Sequence, residues 1–407
     1  MKKIAIIGGG ASGLMAALTA ARAGSDVTMY EHNSGVGKKI LASGNGRCNI
    51  INTTVSYEDY AGADPQFVTY ALKQLGFSYF EKFCHSIGLL LDIKEDGRCY
   101  PLSNEAKSVL IAFKSAVSDA GVRICTETIV SAISKKDTQF IVETDNNKML
   151  YDKVLIATGS EAAPQLGATA DGYIFAKRFG HEILPTYPSL VQLHLVSKNH
   201  HKMAGVKTTA EVTLIIDGKS KEKIQGDILF AAYGISGLAI LDISQKASYA
   251  LHTKQRVSIA LNLLPRYDRA TLTNMIEKLF SSVPKHDVHT ALCGLIPAKI
   301  ATYLLEDAAI SLSSTVSSLS PKEIKKLTHL IGEWKFEVSD THGFKHAEVS
   351  GGGVSTAHIN NKTMESTLIE GLYFAGEVLD IVGRRGGYNF NFAWASGMIA
   401  GKEMAKK

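Results

Sequence analysis

The pattern of hydrophobic positions near the N-terminus predicts a strand, a tight turn, a helix and a second strand. Residues 4–7 form an unbroken apolar run, which is typical of a strand buried on both faces. Helix-forming residues fill positions 14–23, and positions 27–30 are again mostly apolar. Because a glycine-rich turn separates the first strand from the helix, this order indicates the opening of a dinucleotide-binding α/β unit.

The glycines of this turn have the spacing G-x-G-x-x-G, and each has its own expected task. Gly8 allows the sharp turn, Gly10 lets the backbone approach a pyrophosphate, and Gly13 lets the helix pack closely on the strand. Glu31 ends the second predicted strand 18 residues after Gly13, where a carboxylate can accept hydrogen bonds from an adenosine ribose. An acidic residue here favours an unphosphorylated ribose, and therefore FAD or NAD rather than NADP.

The rest of the pattern predicts a sheet completed late in the chain. Residues 122–134, 138–144 and 148–154 alternate as a β-meander, and residues 371–376 form another apolar strand. A mostly apolar helix is predicted at residues 390–404, directly after a glycine pair. A simple NAD dehydrogenase needs no strand that returns so late, whereas FAD extends beyond the pyrophosphate.

The late segment carries the groups that such an extension would use. Glu377 and Asp380 follow the returning strand and are suitable partners for ribityl hydroxyls. The helix after Gly386 and Gly387 would present free N–H groups and a positive dipole end to the flavin ring. These features favour FAD over NAD.

Between these segments lies a region of different character. Residues 188–262 contain alternating segments, such as 211–216 and 256–261, that predict strands. Residues 266–335 predict helices. The predicted helices are 270–280, 297–305 and 321–333.

Composition places the chain among folded globular proteins. It has 407 residues, of which 45% are hydrophobic and 20% charged, enough for two or three domains. The net charge of +5 is compatible with anionic ligands but is too small to indicate nucleic acid by itself. Five cysteines without a C-x-x-C motif predict neither disulfides nor a redox dithiol, and we expect a cytoplasmic protein with no membrane span and no metal site.

Several further motifs together resemble the BaiN/YhiN-like family of NAD(P)/FAD-dependent oxidoreductases over nearly the whole chain. The most specific is GKKILASGNGRCN at residues 37–49. The others are ATG at 157–159, GISG at 234–237, GGGV at 351–354, TME at 363–365, LYFAGEVLD at 372–380 and GGYN at 386–389. Ser160 departs from the family, which usually has a second glycine there, and we expect this departure to matter little for FAD.

The resemblance implies an α/β fold with a Rossmann-like FAD-binding domain of the two-part, glutathione reductase-like type. The first FAD part is expected at residues 1–187 and the second at 340–407. An inserted domain at 188–339 would consist of a β-barrel-like unit, 188–262, and a helical unit, 263–339. We expect this insert to shape the substrate site.

The fingerprint and the family motifs together give the predicted cofactor-binding residues. They are Gly8, Gly10, Ala11, Ser12, Gly13, Glu31, Lys38, Lys39, Ser43, Gly44, Gly46, Arg47, Ala157, Thr158, Gly159, Gly376, Glu377, Asp380, Gly386, Gly387, Tyr388 and Asn389.

Three adjacent residues are candidates for catalysis. The thiol of Cys48 could donate a proton to a carbon that receives hydride, although free cysteine is also a common small buried residue. Arg47 and Asn49 are candidates for flavin or substrate contacts.

Arg384 and Arg385 are candidates for binding an anionic group through parallel hydrogen bonds, or they are solvated surface charges.

The resemblance leaves the substrate open. One interpretation is a reductase that passes hydride from NAD(P)H through flavin N5 to an activated carbon–carbon double bond. NAD(P)H would bind transiently, because no second G-x-G-x-x-G is present. The alternatives are reduction of uridine to dihydrouridine in ribosomal RNA and oxidation of a small amine. Lysine-rich stretches at 198–207, 219–223 and 322–326 are either solvated faces or an RNA surface.

Overall fold

The computed structural model describes residues 1–406, so Lys407, the end of the second predicted FAD part, lies outside the described residues. The chain forms two compact units. One consists of residues 1–187 and 348–406, and the other of residues 188–347. Each unit has its own hydrophobic core.

The first segment forms strands and helices in alternation. In chain order these are β1 (Lys3–Ile7), α1 (Ala11–Arg22), β2 (Asp26–Tyr30), α2 (Lys38–Ala42), β3 (Ile51–Asn52), β4 (Tyr60–Ala61), α3 (Val68–Gln74), α4 (Phe77–Ser86), β5 (Leu91–Ile93), β6 (Arg98–Pro101), α5 (Ala106–Asp119), β7 (Arg123–Cys125), β8 (Val130–Lys136), β9 (Gln139–Thr144), β10 (Lys148–Tyr151), β11 (Lys153–Ile156), α6 (Asp171–Arg178) and β12 (Ile183–Ser189).

The insert and the returning segment follow. The insert forms β13 (Leu193–Val196), β14 (Lys207–Ile216), β15 (Lys219–Ala231), β16 (Gly234–Ser236), α7 (Leu238–His252), β17 (Val257–Asn262), α8 (Arg269–Ser282), α9 (Val288–Cys293), α10 (Ala298–Ala308), α11 (Pro321–Gly332) and β18 (Trp334–Thr341). The return forms β19 (Val349–Val354), β20 (Leu372–Phe374), β21 (Val382–Gly383) and α12 (Tyr388–Ala405).

A five-stranded parallel sheet in the order β20-β11-β1-β2-β7 forms the centre of the first unit. The late strand β20 pairs with β11, with Leu155 opposite Tyr373, so the predicted return to the first sheet is confirmed. The meander is confirmed for β8, β9 and β10. Its predicted first strand is corrected, because β7 pairs with β2 as an edge of the parallel sheet. These features are the predicted Rossmann-like architecture.

The C-terminal helix α12 packs directly on the fingerprint helix α1. A Cβ atom at Gly397 would overlap the carbonyl oxygen of Ser12, and one at Gly401 would lie 2.5 Å from that of Ala16. Small residues are therefore required along this face of α12, since the two backbones approach so closely. The predicted helix is confirmed and begins two residues earlier, at Tyr388.

The insert contains a closed antiparallel barrel of six strands in the order β13-β16-β15-β14-β17-β18. In β14, the alternate residues Ala210, Val212, Leu214 and Ile216 are buried, as a half-buried strand requires. The barrel-like character predicted for the insert is thus confirmed. The three predicted helices correspond to α8, α10 and α11, which lie in the chain between the paired barrel strands β17 and β18.

Two insert elements were not recognised in the sequence. Helix α7 interrupts the region predicted as strands and buries Ala239, Ile240, Ile243 and Ala247 along one face. Strand β18 lies where the pattern predicted the end of a helical region, and its burial alternates from Trp334 onward. Tertiary pairing with β13 and β17 makes this charged, alternating segment a strand.

Among the residues described, no helix is long and apolar enough to span a membrane.

A buried histidine in the first unit makes stability depend on pH. His181 is 3% exposed, its Nε2 lies 2.8 Å from Ser366 Oγ, and its Nδ1 has no partner among residues 1–406. Burial, with a smaller contribution from the charge of His358, lowers its pKa from 6.5 to about 4. The unfolded chain therefore binds a proton below pH 6.5 that the folded chain excludes, and stability falls as pH decreases through this window.

We predict that His181 alone removes about 2 kcal/mol of the free energy of unfolding between pH 8 and pH 5. In His181→Gln, which cannot titrate, the decline with acid should be smaller by this amount. Denaturant unfolding at several pH values measures it. His85, an exposed histidine of α4 in the same unit, serves as the control, and His85→Gln should keep the wild-type profile. A profile in His181→Gln as steep as the wild type would contradict the assignment.

Candidate functional site

The fingerprint turn is shaped by contacts within the protein at two of its glycines. Gly8 has φ +107°, and a Cβ atom there would overlap the carbonyl of Ala157. A Cβ atom at Gly13 would overlap the carbonyl of Gly8. Gly8 therefore makes the turn and Gly13 brings α1 against it, which are the roles that the spacing predicts.

Gly10 differs, because a Cβ atom added to it would meet no atom of the protein within 4 Å. It is the N-cap residue of α1, and within residues 1–406 no side chain caps this helix. A helix start without a cap has unsatisfied N–H donors and a positive potential, both of which suit a phosphate. The space at Gly10 lies at the position where the fingerprint requires a pyrophosphate.

Glu31 joins the end of β2 to the turn. Its side chain is buried, Oε2 accepts a hydrogen bond from the Gly9 N–H (2.9 Å), and Oε1 accepts from the backbone N–H (2.9 Å) and side-chain amide (2.8 Å) of Asn33. These bonds fix the carboxylate beside the glycine turn. A carboxylate oxygen can accept more than one bond, so it retains capacity for a ribose hydroxyl.

Helix α2 is anchored to the turn and directs two lysines to different partners. The Gly37 N–H donates to the Gly9 carbonyl (2.9 Å) just before the helix begins. Lys38 Nζ donates to Asn33 Oδ1 (2.6 Å), beside Glu31. Lys39 Nζ forms an ion pair with Glu377 Oε2 (3.0 Å) on the returning segment. The fingerprint turn is thus linked to both the ribose side and the late strand.

The two acidic residues after β20 are held in different ways. Glu377 Oε1 accepts from Ser160 Oγ (2.6 Å) and from the Ser350 N–H (3.1 Å). Asp380 accepts backbone N–H donors from Ala63 (2.7 Å) and Gly352 (3.0 Å), and burial raises the pKa of its carboxyl group. Glu377 thus depends partly on side chains, whereas the donors to Asp380 are backbone groups.

Residue Gly376 places Glu377 next to the fingerprint helix. It has φ +75°, its N–H donates to Ser396 Oγ (3.0 Å), and a Cβ atom there would lie 2.5 Å from Ser12 Oγ. Ser12 Oγ itself donates to the Ala375 carbonyl (3.3 Å). Ser12, predicted as a cofactor residue, therefore joins the two segments in this structure.

The predicted loop 43–49 is unusual in backbone conformation. Gly44, Asn45, Gly46 and Cys48 all have φ between 55° and 81°. Ser43 Oγ donates to the Ile40 carbonyl (2.8 Å), which secures the end of α2. The loop therefore exposes its glycines while its ends are anchored.

The three catalytic candidates of this loop have distinct surroundings. Arg47 is exposed, with its guanidinium 5.3 Å from the centre of the Tyr100 ring. Cys48 is fully buried, and burial raises its pKa to about 12. Such a thiol has no exposed surface for a substrate, which favours the small buried residue over the proton donor. Asn49 Oδ1 is buried without a partner among the described residues and lies beside Gly387.

The segment before α12 is a tight loop closed by one amide. Asn389 Oδ1 accepts from the Gly383 N–H (2.8 Å), and its Nδ2 donates to the Gly383 carbonyl (2.9 Å). Gly387 has φ +97°, and no side chain within residues 1–406 caps the helix that it starts. Asn389 thus shapes the loop, and the N–H groups that follow Gly387 give a second uncapped helix start.

Two further predicted residues border this loop. The Tyr388 carbonyl accepts from Tyr60 Oη (2.8 Å), and Arg384 is 59% exposed with Nη1 3.9 Å from Asp59. This distance is too long for a hydrogen bond, so the Arg384 guanidinium keeps donors for another partner.

Three residues that surround the strand ends were not recognised as site residues from the sequence. Ser160 and Ser350 donate to Glu377, and the Tyr173 hydroxyl is buried without a partner among residues 1–406. The glycine-rich strand β19 was a usable signal: a Cβ atom at Gly351 would overlap the ring of Tyr187. No local signal pointed to Tyr173.

These features fit FAD. Two helix starts without side-chain caps, the space at Gly10, the fixed carboxylate of Glu31 and the buried, unpaired Oγ1 of Thr158 match a ligand with a pyrophosphate, a ribose and further polar groups. No group of three or more His, Cys, Asp or Glu side chains in the described part of the chain could hold a metal ion.

Residues 2–403 match the family described as HI0933-like protein Rossmann domain. The chain belongs to the HI0933-like family. This result confirms the resemblance inferred from the motifs, and the family consists of FAD-dependent oxidoreductases.

Two curated relatives match this HI0933-like protein over almost their whole lengths. A 3-dehydro-bile acid delta(4,6)-reductase from Clostridium scindens is 34% identical, over 100% of both chains. A ribosomal RNA dihydrouridine synthase from Haemophilus influenzae is 32% identical, over 96% of this chain and 95% of the relative. Both comparisons include the insert.

Solved structures support the fold. The 3-ketosteroid delta1-dehydrogenase from Sterolibacterium denitrificans, in complex with 1,4-androstadiene-3,17-dione, aligns over 100% of both chains with a TM-score of 0.52 and 12% identity. At this identity, the likeness shows the architecture only.

Two glycines separate the packing and binding roles of the turn. We predict that Gly10→Ala leaves the apoprotein folded, at a cost below about 1 kcal/mol for a helix N-cap, but strongly weakens FAD binding. Gly13→Ala should instead destabilise the apoprotein, because its Cβ would overlap the Gly8 carbonyl. Thermal unfolding of both apoproteins and FAD titration measure the two effects. Normal FAD affinity in Gly10→Ala would contradict a pyrophosphate at this position.

Proposed function

We propose that this HI0933-like protein reduces an activated carbon–carbon double bond in a small molecule. The observation that carries the proposal is the 34% identity to the delta(4,6)-reductase over the full length of both chains, insert included. Bound FAD would supply the chemistry, taking hydride from transiently bound NAD(P)H and delivering it from flavin N5 to the substrate carbon.

The residues of the first unit would hold FAD in sections. The N–H groups at the start of α1, beside Gly10, would bind the pyrophosphate, and Glu31 would accept ribose hydroxyls. Lys38 would contribute positive charge on the ribose side, and Glu377 would accept a ribityl hydroxyl. The start of α12 after Gly387 would stabilise negative charge on the flavin ring.

Arg384 and Arg385 are the proposed site for an anionic group of the substrate. Arg384 lies in the loop between Asp380 and Gly387, which are both proposed cofactor residues. Its side chain is 59% exposed. A guanidinium can bind a carboxylate or phosphate through two parallel N–H bonds. The pair would thereby orient the substrate near the cofactor.

Reduction of uridine in ribosomal RNA is a second candidate function. The distribution of charged residues between the insert and the rest of the chain favours it. Residues 188–347 contain 19 Lys and Arg against 14 Asp and Glu, whereas the rest of the chain contains 25 of each. The insert therefore carries the whole net charge of +5. Against this, insert lysines pair with nearby carboxylates, as Lys207 does with Asp227 (2.7 Å) and Lys246 with Glu222 (2.9 Å).

Under anaerobic conditions, we expect a 3-oxo steroid acid with conjugated double bonds to reoxidise the flavin of the reduced holoenzyme. Stopped-flow absorbance follows the return of oxidised flavin, and mass spectrometry detects the gain of two hydrogens. Uridine-containing ribosomal RNA is tested in parallel. Fast reoxidation by RNA with a steep dependence on salt, and none by the steroid acid, would replace the first candidate with the second.

The arginine pair gives a separate prediction. Replacing both Arg384 and Arg385 with Gln should raise the KM for the steroid acid about tenfold to a hundredfold, the scale for losing hydrogen bonds to a charged group. The methyl ester of the same acid is the control and should keep its wild-type KM. Equal KM values for the acid in the wild type and the double variant would show that the pair does not bind the substrate.

A further inference from the structure

A serine hydroxyl and a distant glutamate meet at the ends of two neighbouring strands. Ser160 follows β11, Glu377 follows β20, and these strands are paired in parallel with Ile156 opposite Phe374. Carboxyl ends of adjacent parallel strands lie at the same sheet edge. There Ser160, which is 1% exposed, donates from Oγ to Glu377 Oε1 over 2.6 Å.

The two carboxylate oxygens of Glu377 accept different numbers of hydrogen bonds. Oε1 accepts two hydrogen bonds, from Ser160 Oγ and from the Ser350 N–H (3.1 Å). Oε2 contacts Lys39 Nζ (3.0 Å). Since each carboxylate oxygen has about two acceptor positions, Oε1 is saturated and Oε2 can accept another donor.

The backbone around Glu377 fixes this carboxylate beside the fingerprint. Gly376 packs against Ser12 at the start of α1, and the Gly37 N–H anchors the helix of Lys39 to the Gly9 carbonyl. Both the glutamate and its lysine are therefore attached to the turn that binds the dinucleotide.

We propose that Ser160 is a positioning residue for FAD, acting through Glu377. By occupying Oε1, Ser160 orients the carboxylate so that Oε2, neutralised by Lys39, accepts a hydroxyl of the ribityl chain.

The alternative is that Ser160 only joins two strand ends. Its Oγ also accepts the Ala162 N–H (3.2 Å), so its removal affects local structure as well. A double-mutant cycle separates the two roles, because a residue that acts through Glu377 loses its effect once Glu377 is gone.

The experiment measures FAD affinity of the apoprotein for Ser160→Ala, Ser160→Thr, Glu377→Ala and the double variant Ser160→Ala/Glu377→Ala. We expect Ser160→Ala to raise the Kd about tenfold, equivalent to about 1.4 kcal/mol. Ser160→Thr keeps the hydroxyl and should stay near the wild type. In the Glu377→Ala background, Ser160→Ala should change the Kd less than about twofold.

Ser366→Ala is the matched control, since Ser366 is a buried serine of the same unit that bonds to His181. It should lower apoprotein stability without changing the Kd. A tenfold effect of Ser160→Ala that persists without Glu377, or no effect at all, would overturn the proposal. No substrate is present, so the result is independent of the proposed double-bond reduction.

Discussion

The pairing of β20 with β11 is the interaction on which the site depends. It places the end of a late strand beside the fingerprint turn, and with it Glu377, Asp380 and the start of α12. Closing so long a segment costs little more entropy than closing one half its length, because the cost grows only with the logarithm of loop length. The close approach of α12 to α1 at Gly397 and Gly401 adds buried contact that secures the return. A cofactor site made from both ends of the chain therefore requires only a small additional cost in loop-closure entropy.

The return of the late strand leaves the insert as a separate unit along the sequence. The insert, residues 188–347, has its own barrel and its own hydrophobic core, so its surface can change without disturbing the parallel sheet. The charges follow the same division: the cofactor unit is neutral by formal count and the insert carries the net charge of +5. Relatives named for a bile acid and for ribosomal RNA are both similar over the insert as well as the FAD unit.

The features predictable from sequence were those specified by local chemistry. The G-x-G-x-x-G spacing, the alternation in β14 and the start of α11 with its Ser320–Glu323 capping box depend on residues a few positions apart. By contrast, β7 is too short for its sequence to indicate which sheet it joins. The charged residues on the exposed face of β18 are equally typical of the end of a helix. The bond from Ser160 to Glu377 joins residues far apart in the chain, so no local pattern could show it.

The contrast between Glu377 and Asp380 shows which part of the site can be tuned. Backbone N–H groups hold Asp380, and a Cβ atom at Gly62 would overlap its carbonyl, so few substitutions around it can change its position. Glu377 is held by the Ser350 N–H and also by the side chains of Ser160 and Lys39, and these two side chains can be exchanged by substitution. Backbone donors survive mutation of the residue that supplies them, whereas side-chain donors do not. Asp380 is therefore expected to keep the loop in place, while the surroundings of Glu377 are where substitutions can change cofactor affinity.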